Sequence, residues 1–398
     1  MIDRLLAWRP PVEPTMAWVG VLLGLLAFWV ALPPLKVREP AVPVVIGLLA
    51  IGLGIAVLSR GGARRLAWGA VAVGVLGIAL GYLATRSSEG HLDQVIVWSA
   101  LTAAMLRYAT PLAFAAMGGI FSERSGVVNI GLEGMMLSGA FFGILGADKF
   151  NSWELGLVCA AVSGAAFALV HAFFSIHLRA DQIVGGTAIN FLALGITGYL
   201  FIDIYSGEGT PPDIPGIPNV HLGFLQDWYF IGPVLGDLNL MIWLAFVTIV
   251  LTWIVLFKTP VGLRIRAVGE HPRAADTVGI SVYKTRYAAV VLSGILAALG
   301  GAYLSVGFVN SFNQNMTVGK GFIALAAVIF GNWRPWGAAA AALLFGFSSA
   351  LAQRLPAYSE SAAVLFQALP YVLTLIAVAG VIGRSIPPAA VGRPYKKQ

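Results

Sequence analysis

The chain has 398 residues, 58% hydrophobic and 11% charged, with a mean hydropathy of +0.84, which excludes an ordinary water-soluble globule and reads as a polytopic helical membrane protein. Its net charge of +7 would suggest nucleic acid in a soluble protein; here it reflects Lys and Arg collecting on one side of a bilayer. The one cysteine, Cys159, lies in an apolar run and excludes a disulfide framework and a Cys-based metal site.

The opening MIDRLLAWRPPVEP is polar and proline-broken, without a small-residue cleavage site, so no cleavable signal peptide is predicted. Apolar runs then follow at Ala17–Leu32, Ala41–Leu58, Leu66–Leu83, Val95–Gly119, Gly126–Gly146 and Glu154–His177. They continue at Ile183–Ile202, Leu238–Phe257, Tyr287–Phe308, Val318–Phe330, Trp336–Leu351 and Ala362–Ile382. These predict an all-α polytopic membrane protein of about twelve spans.

Lys258–Tyr287 is the long polar segment, with Lys258, Arg264, Arg266, Arg273, Lys284 and Arg286 against Glu270 and Asp276. Placing it in the cytoplasm also puts Arg60, Arg64, Arg65, Arg179, Arg334, Arg384, Arg393, Lys396 and Lys397 inside. Both termini are then cytoplasmic. Asp203–Asp237, with Asp203, Glu208, Asp213, Asp227 and Asp237 but no Lys or Arg, falls outside. The exception is Leu35–Arg38, whose two cations fall outside. The resulting plan has extra N-terminal spans in 1–90 and a core in 91–383. Within the core lie a four-span set at 95–202, an outer loop at 203–237, a linking span at 238–257, a cytoplasmic loop at 258–287 and a second four-span set at 287–382. A tail covers 384–398. The two sets have opposite orientation, and each has a glycine-rich, interrupted second element: SERSGVVNIGLEGMMLSGA and TVGKGFIALAAVIFGNW. Inverted repeats with broken helices are a way of building a transport pathway at the midplane.

Within the basic loop, Pro272 suits the first position of a helix and Gly279 its left-handed end. The intervening PRAADTV makes about two turns, too short to stand alone. Such a helix either docks on something or belongs to a plain basic loop lying on anionic lipid. Ala274 and Ala275 would be small to allow close packing into a partner, or simply to favour helix, and Arg273 would meet an acidic edge.

Asn129, Glu133, Gln182 and Asn190 place amides and a carboxyl group at membrane depth, where they need partners or water. They line a solute path, or they are structural: Glu133 caps a helix N-terminus and Asn190 bonds across helices. Gly134, Ser138, Gly139 and Gly143 permit close helix crossing. Arg107 pairs with an acid such as Glu133 or Asp181, or snorkels. His171 and His177 are read as packed or interfacial. The proline- and aromatic-rich outer loop reads as a lid, an external docking surface or an interfacial anchor. No P-loop or catalytic arrangement is present in the sequence, and no metal site is predicted.

GLRIRAVGEHPRAADTVGI resembles the cytoplasmic coupling loop of ABC importer permeases of the branched-chain amino acid and simple-sugar type. FSERSGVVNIGLEGMML and TPPDIPGIP resemble, more narrowly, the nucleoside-import permeases of that group, and GKGFIALAAVIFGNWRPWGA is similar to the family's later broken segment. The likeness covers roughly Leu106 to Gly383. It implies a type II-like permease in a prokaryotic cytoplasmic membrane, with no cofactor of its own. A second permease, an ATPase subunit that uses ATP, and an extracytoplasmic substrate-binding lipoprotein would be its partners. The coupling helix carries over as His271–Gly279, with Arg264, Arg266 and Glu270 beside it. Nucleoside is the expected solute, and simple sugars or branched-chain amino acids are alternatives. An ion-coupled secondary transporter would not need the docking loop, and a membrane enzyme would need an acid or histidine cluster.

Overall fold

In a bilayer each backbone N–H and C=O must be paired within its own segment, so long apolar runs form helices. The computed structural model describes residues 12–31, 35, 37, 39–61, 63–86, 97–354 and 385–397. A helix lies in the described part of each predicted span from Ala17–Leu32 to Trp336–Leu351, although that in Gly126–Gly146 starts only at Leu132; the predicted span Ala362–Ile382 and Arg384 lie outside the described residues. Among those residues, eight helices are long and apolar enough to cross a membrane.

Helices α1 (Val12–Trp29), α2 (Ala41–Ser59) and α3 (Arg64–Arg86) form one unit. Ala17, Ala50, Ala67 and Ala70 are buried between them, whereas Leu22, Leu49 and Trp68 are exposed. Small residues inward and bulky apolar residues outward is the pattern expected when packing is against helices on one side and lipid on the other.

The second unit runs from Thr102 to Phe347 and includes the segment from Ser385. Its helices begin with α4 (Trp98–Arg124), α5 (Leu132–Phe150), α6 (Trp153–Ala172, ending in a π-helical turn, Phe173–His177) and α7 (Gln182–Tyr205). After the loop at 203–237 come α10 (Leu240–Lys258), α11 (Pro260–Glu270), α12 (Pro272–Thr277), α13 (Val282–Ala302, continuing as a π-helical turn, Tyr303–Val309), α14 (Lys320–Phe330) and α15 (Pro335–Arg354). Helix α5 is buried along nearly its whole length. It crosses α13 in direct backbone contact: a methyl group added at Gly301 would lie 1.8 Å from the Met136 carbonyl oxygen, and one at Gly139 2.2 Å from that of Ala298. Gly134 meets the α7 backbone in the same manner, while Gly143 faces the Ala302 methyl of α13.

The loop at 203–237 departs from an all-helical plan. Its β1 (Asn219–His221) pairs antiparallel with β2 (Asp237–Asn239), with Val220 opposite Leu238. Between them are two short helices, α8 (Gly223–Gln226) and α9 (Ile231–Leu235). The pairing follows from docking of the loop on the π-helical turn: Ile217 N donates to Val306 O (3.1 Å), and Asn239 Nδ2 to Ile217 O (2.8 Å) and Gly307 O (3.1 Å). Asn310 Nδ2 holds Ile214 O at 3.0 Å. Ile214 and Ile217 are buried, while Phe224, Trp228, Tyr229 and Phe230 point outward.

Candidate functional site

The SERSGVVNIG sequence ends α4 because a glycine with φ +94° at Gly126 turns the chain away. Ser125–Gly131 then runs without helix until α5. Its backbone polar groups, deprived of helical partners, have to find others. Ser122 Oγ donates to Val127 O (2.7 Å), Gln182 Oε1 accepts from Val128 N (2.8 Å), and His171 Nε2 lies 3.0 Å from Val128 O. A carbonyl only accepts, so His171 carries its proton on Nε2. Asn190 does two jobs: Nδ2 donates to Ile130 O (3.0 Å) and Oδ1 accepts from Gly134 N (2.8 Å). Asn129, fully buried, donates to Ser293 Oγ (2.9 Å), and its Oδ1 has no partner among the described residues.

Glu133 stands in the first turn of α5 but caps a different helix. Its Oε1 accepts from Thr317 Oγ1 (2.6 Å) and Gly319 N (2.8 Å), and its Oε2 from Gly321 N (2.6 Å). These are donors at the start of α14, where N–H groups have no intrahelical acceptor. At the other end of α14, Trp333 Nε1 donates to Glu123 and Arg124 Nε donates to Trp333 O (3.0 Å). The two broken segments therefore hold each other at both ends of α14.

The four residues expected along a solute path are thus brought to one place, and each is engaged by neighbouring protein groups. The structural alternatives weighed for Glu133 and Asn190 describe their contacts, with the correction that Glu133 caps α14, remote in sequence. His171, Ser293, Thr317 and Trp333 belong to the same assembly. Their sequence signal was slight, since a buried histidine or serine in an apolar run looks like any packed residue. Arg107 is exposed on α4, and Asp181 caps α7 by accepting from Ile183 N and Val184 N.

The basic loop folds as a pair of helices. Thr259 caps α11 through Gly262 N (3.2 Å). His271 caps α12, its Nδ1 accepting from Ala274 N (3.3 Å), Pro272 takes the first helical position, and Gly279 follows with φ +84°. Arg264, His271, Arg273, Ala274, Val278 and Gly279 are exposed. Arg266 lies over the Phe257 ring at 5.0 Å, and Glu270 is 4.0 Å from Arg124. Ala275 corrects the sequence reading. It is 3% exposed and packs within the chain against Val268, Val282 and Tyr395, so its small size serves the contact beneath the helix rather than a partner above it.

The sequence profile of the family described as branched-chain amino acid transport system, permease component, matches residues 101–378. Over 327 residues the chain is 44% identical to the guanosine ABC transporter permease protein NupQ of Bacillus subtilis, spanning 77% of this chain and 99% of that protein. It is 41% identical over 307 residues to the nucleoside ABC transporter permease protein NupC of Lactococcus lactis subsp. cremoris, spanning 75% and 96%. A second guanosine ABC transporter permease protein of Bacillus subtilis, NupP, is 25% identical over 251 residues, spanning 61% and 70%. No solved structure matches.

Proposed function

This chain belongs to the permease-component family of branched-chain amino acid transport systems, and we propose that it is the membrane subunit of an ATP-driven nucleoside importer. The observation that carries the reading is the 44% identity to NupQ over nearly all of that protein. Because the chain is much closer to NupQ than to NupP, it takes the NupQ-like place in a pair of unlike permeases. An ATPase subunit supplies the energy, and an extracytoplasmic binding protein delivers the solute. The cytoplasmic membrane location, the inward-facing basic loop, and the inverted four-span repeats of a type II-like permease are parts of the same proposal. The interruptions at Ser125–Gly131 and before α14 support the repeats.

Solute passes beside the clasped broken segments, where amides suit ribose hydroxyls and base edges without a fixed charge. The outer loop covers this region from outside. The ATPase meets the exposed face of α12, formed by Arg273, Ala274 and Val278; ATP is used there and not by this chain. Uptake of labelled guanosine, uridine and ribose by cells expressing the whole importer, against a strain lacking this chain, tests the solute. Chain-dependent nucleoside uptake is expected; chain-dependent ribose uptake without nucleoside uptake would make this a sugar permease. Val278→Glu tests the docking face, because Val278 is 74% exposed and the change leaves the interior intact. The variant should insert normally and lose the ATPase on copurification.

A further inference from the structure

The segment Ser385–Lys397 crosses the side of the second unit that bears the basic loop, and its contacts follow a pattern. Ile386 N donates to Asn332 Oδ1 (3.0 Å), in the turn after α14. Ala389 N donates to Glu270 Oε2 (3.2 Å) and Ala390 N to Gly269 O (2.9 Å), at the end of α11. Gly392 N donates to Gly126 O (3.2 Å), in the break between α4 and α5. The Arg393 carbonyl accepts from Arg286 Nη1 (3.1 Å). A segment rich in small residues and proline, bonded through its backbone to four separate elements, is a strap.

Two side chains join this strap to the docking helix. Tyr395 is buried beneath α12, its ring against Ala275, Val268 and Val282 and edge-on to Tyr283 at 5.7 Å. Burial, and then the neighbouring Asp276 carboxyl of α12, raise the pKa of its hydroxyl above the ordinary tyrosine value. Arg286, in the second turn of α13, is 1% exposed; Nε donates to Ser125 O (3.2 Å) while Nη1 holds Arg393 O. One guanidinium thus spans the break and the strap, a geometry suited to its rigid fork of donors. A cation so far from solvent is costly without partners, and here it is satisfied largely by carbonyls of those two segments. Among the described residues no ion pair explains its presence.

We infer that Tyr395 and Arg286 are positioning residues for energy coupling. They tie α12 to the Ser125–Gly131 break, so that displacement of α12 moves the break instead of turning the short helix on its two flexible ends. This rests on the proposed docking of an ATPase at α12. A two-turn helix flanked by His271 and Gly279 has little stiffness of its own; the contacts under Ala275 give it a backing, and Arg286 connects that backing to the pathway side.

The test uses the complete importer in membrane vesicles, with ATP hydrolysis, ATPase copurification and solute uptake measured on one preparation. Tyr395→Leu fills part of the space but removes the ring and the hydroxyl beside Asp276. It is expected to keep the ATPase bound and hydrolysing while uptake per ATP falls about tenfold, the upper range for a change along a coupling route. Tyr395→Phe, which keeps the ring, should fall between this and the parent. Unchanged uptake per ATP in Tyr395→Leu overturns the inference, and so does an equal loss of uptake and hydrolysis at normal chain level, because that describes structural support alone. Should Tyr395→Leu fail to insert, Tyr395→Phe carries the same readout, and a wild-type ratio there overturns the inference. An unmodified chain that binds no ATPase would instead refute the proposed function, so the two failures are distinguishable.

Discussion

The two ends of α14 are held by two glutamates in different ways. At its start, Glu133 accepts three hydrogen bonds, two of them from backbone N–H groups. At its finish, the described residues pair Glu123 through one oxygen, with the Trp333 indole. The difference follows from helix polarity. A helix N-terminus presents unpaired N–H groups and partial positive charge, which a carboxyl group satisfies directly. A helix C-terminus presents carbonyls, which repel the same group, so an acid there needs a side-chain donor brought by the following turn. Asn332 and Trp333 both have φ +53°, and this turn aims the Trp333 indole back at α4. One glutamate is a cap made of backbone; the other is a latch made of two side chains.

The largest effect should come from breaking the cap. Glu133→Ala leaves the Thr317 hydroxyl and the Gly319 and Gly321 N–H groups without their acceptors, at about 1–3 kcal/mol for each unsatisfied buried group. A markedly lower unfolding temperature in detergent, with loss of uptake, is expected. Glu133→Gln is also expected to destabilise, by about 1–3 kcal/mol, because an amide has one acceptor oxygen where this site uses two. Whichever way the amide is turned, one backbone N–H faces an NH2 group. A Glu133→Gln protein as stable as the parent would show that the cap does not hold α14.

Less should follow from opening the latch. Trp333→Phe keeps the aromatic filling but removes the donor to Glu123, and a loss of about 1 kcal/mol is expected in the same thermal measurement. The Trp333 backbone carbonyl still accepts from Arg124 Nε, so the turn keeps one attachment.

What the sequence disclosed here was local. Pro272 and Gly279 bound the short helix α12, glycines mark the first break, and both features occur where expected. An acid at the position of Glu133 left path lining and helix capping open, and the helix it caps was not legible, since a contact across 184 positions leaves no periodicity in a single chain. The direction of Ala275 was hidden for a related reason. An alanine on a short amphipathic helix reads alike whether it faces a partner or Tyr395, which lies far along the chain. Gln182, Asn190 and Asn129 were identifiable as polar groups out of place in apolar runs. Gln182 and Asn190 bond to backbone in and just after the break, and Asn129 bonds to Ser293 Oγ on α13; these pairings depend on where α7 and α13 pack, which local propensity does not specify.

The smallest expected effect gives the cleanest contrast between the two glutamates. Glu123→Gln preserves an acceptor oxygen, and the Trp333 indole requires just one. The amide keeps nearly the same volume, so the packing around this buried side chain needs no rearrangement. Turning the oxygen toward Nε1 keeps the latch closed, while the NH2 group replaces an oxygen for which the described residues supply no donor. The expected change in unfolding temperature is therefore limited to the cost of the buried NH2 group and smaller than that of Glu133→Gln, although both substitutions remove one carboxyl group from the same pair of broken segments. Measured side by side in one detergent, the two variants separate geometry from charge. If the acids serve mainly as negative charge beside Arg124, Glu123→Gln should be the more harmful of the two. If they serve as acceptors of fixed number, the order is reversed, and removing the indole donor with Trp333→Phe in the Glu123→Gln background should add about the same 1 kcal/mol loss as in the parent.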